Sequence, residues 1–485
     1  MSVLLLLLPL VAAVALFAFR SLPARPIALG ATGANLLFSL FLLWGFRGEE
    51  ARAYALNIDW IPQAGVAFRI GADGISLLMV LLTNILAPFI VSAGGTRAYD
   101  REARYYGLVL LMLAALNGVF LAWDGLLFYI FYEMALIPIY FICAIWGGEN
   151  RIRITLKFFL YTFVGSLFML VALLAVYYQT PATGTAPHSF AWEALTAAEL
   201  DPTTAQWVML GFFLAFAVKM PLFPFHTWQP DTYVNAPTGG TMLLSGIMLK
   251  MGLYGALRWM IPLTPEAWHA LAPFFLGLAI FGIVYAGLIA LKQSDLKRLV
   301  AYSSIAHVGL MAAGILVWNK VGLQGSLMQM LAHGINAVGL FFVVDILERR
   351  IGSRTLSDMG GIARTAPRLA ALYFIVTLGA MAVPLTNGFV GEFLLLNSVW
   401  QYHPALGATA GLTIILSAAY LLRAYGLAMF GQPGPYTASV SDLSRDEFAV
   451  LTGIAALVLL QGFFPYWILN LTNNSVDRIL GAVQM

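Results

Sequence analysis

Long apolar runs recur along almost the whole chain, separated by short polar stretches. Fourteen of them approach the roughly 20 residues that cross a bilayer as a helix. They lie at 2–19, 26–46, 74–93, 104–122, 126–147, 153–178, 205–229, 237–260, 266–291, 295–317, 322–347, 367–402, 405–430 and 447–468. The pattern predicts an all-α polytopic membrane protein with about 14 transmembrane helices. Between the second and third runs, Ala53 to Ile70 alternates apolar and polar residues around Pro62-Gln63-Ala64-Gly65. That alternation predicts an extramembrane β-hairpin. Beyond the last run, Ile468 to Val483 reads as a short surface helix. The first run is followed, not preceded, by its arginines Arg20 and Arg25, which argues for a retained helix over a cleaved signal peptide.

Two runs are interrupted. In Leu214 to Asp231, LAFAVKMPLFPFHTWQPD, Lys219 ends a long uncharged stretch and Pro221 and Pro224 follow at once. Each proline lacks the N–H that would bond the carbonyl four residues back, so the carbonyls of Ala217 and Met220 are expected to lose their helical partners. Irregular backbone at membrane depth is tolerated inside protein or beside water, so the segment is expected to line an internal hydrated cavity. A proline kink with a lysine snorkelling to the surface is the alternative. In the twelfth run, Ala380 to Gly388 repeats the interruption, with Glu392 one turn beyond. Two breaks five spans apart predict two inverted five-helix repeats, spans 4–8 and 9–13. The expected division is 1–100 for the first three helices and the hairpin (53–70), 101–262 and 263–432 for the repeats, and 433–485 for helix 14 and the tail.

Composition agrees: 61% of residues are hydrophobic and 10% charged, against about a quarter charged in a soluble domain. The formal net charge of +3 comes without a basic block, so nucleic acid is excluded as a partner. A single cysteine, Cys143, rules out a disulfide framework and thiolate-held zinc or iron–sulfur clusters, so no cofactor or metal is expected in this chain. The odd-numbered loops carry seventeen lysines and arginines: Arg20, Arg25, Arg97, Arg101, Arg104, Arg151, Arg153, Lys157, Lys292, Lys297, Arg298, Arg349, Arg350, Arg354, Arg364, Arg368 and Arg445. The even loops and tails carry six: Arg47, Arg52, Arg69, Arg258, Lys320 and Arg478. By the positive-inside rule the odd loops are cytoplasmic and both termini lie on the outer side.

Six titratable residues fall well inside their runs: Glu133, Lys219, Lys250, His307, His333 and Glu392. An ionised side chain at the centre of a span costs about 2.5–3.5 kcal/mol on insertion scales, so six of them on six helices point to an ion or proton pathway. No group of several carboxylates or hydroxyls offers the oxygen-rich shell of a hard cation, which favours protons. His226, just past the first break, and Arg423, in the thirteenth run, are secondary candidates, with Tyr302, Ser303 and Ser304 assigned to helix packing.

At these residues the chain resembles a known family. YEMALIP around Glu133, FAVKMPLFPFHTWQPDTYVNAPTGGTMLLSGIMLKMGLYG across Lys219 and Lys250, and DLKRLVAYSSIAHVG around His307 look like the antiporter-like subunits of NADH–quinone oxidoreductase, respiratory complex I. Glu392 in NGFVGEF is similar to the M type, the counterpart of mitochondrial subunit 4, since the L and N types carry lysine there. The chain also lacks the residues for the long lateral helix of the L type. The resemblance implies a proton-translocating membrane-arm subunit coupled to quinone reduction elsewhere in the complex. It pairs Glu133 with Lys219, makes Lys250, His307 and His333 a connecting relay, and places Glu392 on the exit side. It also implies flavin, iron–sulfur clusters and quinone in partner subunits, L-type and N-type neighbours, surrounding lipids, and a bacterial inner membrane. Asn336 and Asp345 depart from the family pattern, where smaller or less polar residues are expected. The D-type subunit of a multisubunit sodium/proton antiporter, a membrane subunit of a related hydrogenase and a purely structural scaffold are the other readings.

Overall fold

The computed structural model describes residues 1–19, 21–95, 99–182, 186–434 and 436–483; Arg20 and Arg97 lie outside the described residues. Every predicted run is helical. In chain order the helices are α1 (Leu4–Ala18), α2 (Ala24–Gly45), α3 (Gly74–Gly94), α4 (Glu102–Leu121), α5 (Gly125–Trp146) and α6 (Arg151–Tyr177). Then come α7 (Pro202–Lys219), α8 (Gln229–Asn235), α9 (Thr238–Leu263), α10 (Pro265–Lys292), α11 (Leu296–Val317) and α12 (Lys320–Ile351). The last five are α13 (Pro367–Ala380), α14 (Asn387–Tyr402), α15 (Pro404–Met429), α16 (Arg445–Phe463) and α17 (Tyr466–Gly481). Among the described residues eleven helices are long and apolar enough to cross a membrane. The expected fourteen therefore rest on α1, α7 and the pair α13 and α14, which are short or interrupted.

Capping residues mark many of the helix starts. Asp73, Asp124, Asp201, Asp295, Asn319 and Ser444 accept bonds from first-turn N–H groups of α3, α5, α7, α11, α12 and α16, groups that no helical carbonyl can reach. The hairpin forms as the alternation predicts, with β1 (Ala53–Ile61) antiparallel to β2 (Val66–Ala72) and Gly65 in the left-handed conformation that closes the turn. The tail helix α17 begins two residues earlier than expected and docks its Ser475 hydroxyl on the backbone N–H of Gly74, at the start of α3.

Three helices are buried nearly all round: the apolar windows of α9 and α12 are 100% buried and that of α11 is 94% buried. Those of α2 and α15 are 28% and 33% buried, as befits helices facing lipid. Polar residues on α9, α11 and α12 therefore find their partners within the protein, on one another and on the helices packed around them.

The two breaks share one backbone pattern. After α7, the N–H of Met220 bonds the carbonyl of Phe216 at 2.8 Å, and that of Leu222 bonds Ala217 at 2.8 Å. After α13, Met381 bonds Thr377 at 3.0 Å and Val383 bonds Leu378 at 3.1 Å. In both, a bond four residues back is followed by one five residues back, a wide turn that unwinds the helix. This supports the internal repeat and corrects one expectation: the Ala217 carbonyl keeps a partner, because Leu222 reaches past the missing donor of Pro221. The second break is also strained, with Ala382 at φ 54° and Leu385 at φ 72°.

Two basic residues sit differently from the sequence reading. Arg258 belongs to no loop. It is 3% exposed inside α9, 2.5 Å from the carboxylate of Asp73, with its guanidinium 4.8 Å from the Trp123 ring centroid. Arg423 lies exposed on the outer face of α15 and donates to the carbonyls of Leu291 and Gln293 at the end of α10.

Candidate functional site

The polar row begins where α5 meets the first break. Lys219 is the last residue of α7, where the partial negative charge of a helix C-terminus favours a cation. It is 2% exposed, and its ammonium rests over the Tyr132 ring, 4.6 Å from the centroid. Lys219 Nζ and Glu133 Oε1 are both buried without a hydrogen-bond partner, and no Glu133 oxygen comes within the 4.0 Å of a salt bridge to Nζ. Opposite charges a few ångströms apart still attract in a medium of low polarity, and Ser166 stands beside the carboxylate.

The next helix is pressed onto the break. A Cβ at Gly252 would lie 2.8 Å from the Phe216 carbonyl oxygen and 2.9 Å from the Met220 nitrogen, so only glycine lets α9 approach so closely. Two residues earlier, fully buried Lys250 donates to the Ser245 carbonyl at 2.8 Å. A π-helical turn at Leu244–Met248, with the Leu249 N–H bonded to Leu244, widens α9 beside it.

From Lys250 the contacts run on without a gap larger than one water. Lys250 Nζ lies 2.9 Å from His333 Nδ1, which accepts, so His333 Nε2–H donates to the Ser304 hydroxyl at 3.0 Å. Beyond is a cavity with about 20 Å³ of space for water centres, lined among others by Ser303, Ser304, His307, Gln329, His333 and Asn336. That volume holds about one water, and these side chains supply the polar partners a buried water needs. The two imidazole rings face one another across it, 6.0 Å between centroids. His307 Nδ1–H donates to the Ser303 carbonyl at 2.8 Å, while its Nε2 lies 3.2 Å from Glu392 Oε1. Gln329 Nε2 donates to the same oxygen at 3.3 Å, and the Tyr420 hydroxyl donates to Ser303 Oγ at 3.0 Å. Glu392 Oε2 has no partner, and the residue is 2% exposed.

The electrostatics of this row favour proton hand-over. Two positive charges 2.9 Å apart repel by about 6 kcal/mol at an effective dielectric of about 20, so Lys250 and His333 hold one charge between them. A proton arriving at one displaces a proton from the other.

The structure thus joins Lys250, His333, His307 and Glu392, and leaves Glu133 and Lys219 as a separate, unbonded pair one helix away. His226 is buried but packs on Phe223 and Tyr285 with its Nδ1 unpartnered, and it touches no member of the row. Ser304 is no mere packing residue, because it binds His333. Gln329 is absent from the sequence reading. Its signal was present, since Gln329, His333 and Asn336 fall at i, i+4 and i+7 on one face of α12. Asn336 lines the cavity, whereas Asp345 binds Thr238 and Arg349 farther along the helix. Among the described residues no group of three or more His, Cys, Asp or Glu is placed to hold a metal.

Known proteins are similar to this chain over most of its length. The family described as NADH:quinone oxidoreductase/Mrp antiporter membrane region matches residues 122–417. Subunit M of NADH-quinone oxidoreductase from Rhodobacter capsulatus is 38% identical over 472 residues, covering 94% of this chain and 90% of the relative. A chain in the structure of respiratory complex I from Thermus thermophilus with bound NADH superposes with a TM-score of 0.92 at 34% identity, covering 100% of both chains. A chain of the Mrp complex from Dietzia shares the fold, with a TM-score of 0.86 over 100% of this chain and 99% of its own, at 19% identity. Both the family match and the relative span most of this sequence, and the chain belongs to the antiporter-like subunits of NADH–quinone oxidoreductase, in the subunit M group.

Proposed function

We propose that this chain translocates protons in the membrane arm of NADH–quinone oxidoreductase and couples quinone reduction elsewhere in the complex to pumping. The observation that carries this reading is the contact series Lys250–His333–cavity–His307–Glu392, buried between α9, α11, α12 and α14. A proton taken up near Glu133 weakens its hold on Lys219, whose proton passes to Lys250. The charge that Lys250 and His333 share then moves across the cavity water to His307, and Glu392 receives it on the exit side. Glu133, Lys219, Lys250, His333, His307 and Glu392 are the relay; His226 and Arg423 are left outside it by their packing.

Electron donor, flavin, iron–sulfur clusters and quinone belong to partner subunits, with L-type and N-type antiporter-like subunits as neighbours and lipid around α2 and α15. The membrane is the bacterial inner membrane, with odd loops cytoplasmic and both termini outside. With Arg258 inside α9 and paired to Asp73, the even side loses one of its six basic residues, which strengthens the charge asymmetry behind that orientation. The matching bonds at the two breaks support repeats at 101–262 and 263–432. A sodium/proton antiporter or hydrogenase role shares the fold, and the higher identity to complex I subunits favours the first reading.

The test is Glu392→Gln in the assembled complex. Gln keeps the bond from Gln329 but carries no proton, so proton uptake into inverted vesicles is expected to fall while assembly stays at wild-type level. Full pumping at matched assembly removes Glu392 from the pathway.

A further inference from the structure

Past the cavity the polar groups do not stop, but their chemistry changes. Asn336, on the cavity wall, donates from Nδ2 to Oδ1 of Asn387 at 3.0 Å. Asn387 donates in turn to Oε1 of Gln461 on α16 and to the Ala332 carbonyl, both at 3.5 Å. All three carboxamides are buried, and Asn387 is the first residue of α14, immediately beyond the second break. The ladder therefore leads from the middle of the relay along the break to the far end of α16, beside Leu385, which is exposed.

Beyond the cavity wall the ladder is closely packed. A Cβ at Gly379 would lie 2.8 Å from Asn336 Oδ1 and 3.0 Å from Asn387 Oδ1, and a Cβ at Gly462 would collide with the Leu385 carbonyl. The bare backbone of α13 is packed against Asn336 and Asn387, and that of α16 against the backbone of the break at Leu385 and Thr386.

A carboxamide donates and accepts hydrogen bonds but neither takes up nor releases a proton in the working pH range. We propose that Asn336, Asn387 and Gln461 form a proton-tight seal. They bond one another and the Ala332 carbonyl, which keeps most of their buried polar atoms paired, and they deny protons a way out of the His333–His307 cavity other than through Glu392. The inference rests on the relay reading above and adds a directional element to it: selectivity for the Glu392 exit comes from side chains that bond without conducting.

The experiment replaces one amide by its isosteric acid. Asn387→Asp keeps the shape and the bond from Asn336, and it places a proton-carrying group in the ladder. In purified whole complex reconstituted in liposomes, without NADH, an imposed potassium diffusion potential is expected to drive a passive proton flux several-fold above wild type. Asn387→Leu, which bonds nothing and carries nothing, is expected to stay tight. If Asn387→Asp assembles poorly, Gln461→Glu tests the same path from its far end. Acid variants as tight as wild type overturn the seal, and so does an equal leak in Asn387→Leu, which would trace the flux to loosened packing. Pumping by Glu392→Gln is measured alongside. If that variant fails to pump while Asn387→Asp remains tight, the seal is wrong and the relay stands.

Discussion

Removing both partners of the Glu133 and Lys219 pair separates a working relay from a structural bridge. No carboxylate oxygen comes within 4.0 Å of the ammonium, so at an effective dielectric of about 20 their attraction is at most about 4 kcal/mol. That is about a thousandfold in the occupancy of a proton, enough to decide whether Lys219 keeps or yields one when Glu133 is neutralised. With no direct bond to lose, the pair contributes little as a clamp between α5 and α7. Glu133→Gln with Lys219→Met leaves no unpaired buried charge, so a static bridge would tolerate the double change. The double variant is therefore expected to assemble normally, judged by complex level on native gels. It is expected to pump as poorly as either single variant, judged by dye quenching in inverted vesicles. Wild-type pumping by the double variant would refute the relay and leave static charge balance as the role of both residues.

Asp73 and Arg258 make the opposite case, a bonded pair buried at 5% and 3% side-chain exposure. Breaking it with Asp73→Asn or Arg258→Met alone is expected to cost about 3–5 kcal/mol, and the double change to recover most of that; thermal inactivation midpoints of the complex decide, and a double variant no more stable than the singles rules the pair out as the cause. Orientation is tested in the loop after α12. Ser353 is half-buried and bonded to Asp358, so the exposed Ser357→Cys is the better probe. An impermeant maleimide is expected to label it in inverted vesicles only and to label Asn57→Cys, on the hairpin, from the outside only; the reverse pattern overturns the assigned sides.

What the sequence determines by itself follows from the cost of putting charge and free backbone in lipid. Apolar runs long enough to span had to be helices, and alternation between Ala53 and Ile70 had to be a hairpin. Six titratable residues inside those runs pointed to a pathway, because an ionised side chain within a span is costly. Prolines and glycines marked both breaks. Local pattern carries no information about which face of one helix meets which face of another, and that only the tertiary structure decided. Lys250 and His333 stand 83 positions apart, and whether they touch depends on helix rotation and on the wide turn in α9. Arg258 read as a loop residue because its partner Asp73 lies 185 positions away. Arg423 read as a secondary candidate because its run is apolar, and only the packing showed that its own face of α15 points outward. The Ala217 carbonyl looked orphaned because proline removes a donor, and a wider turn supplied another. Ser304, Gln329 and the amide ladder were visible as polar residues on apolar helices. Their partners came from the packing of α11, α12, α14 and α16, where a buried polar group bonds whatever the neighbouring helix presents.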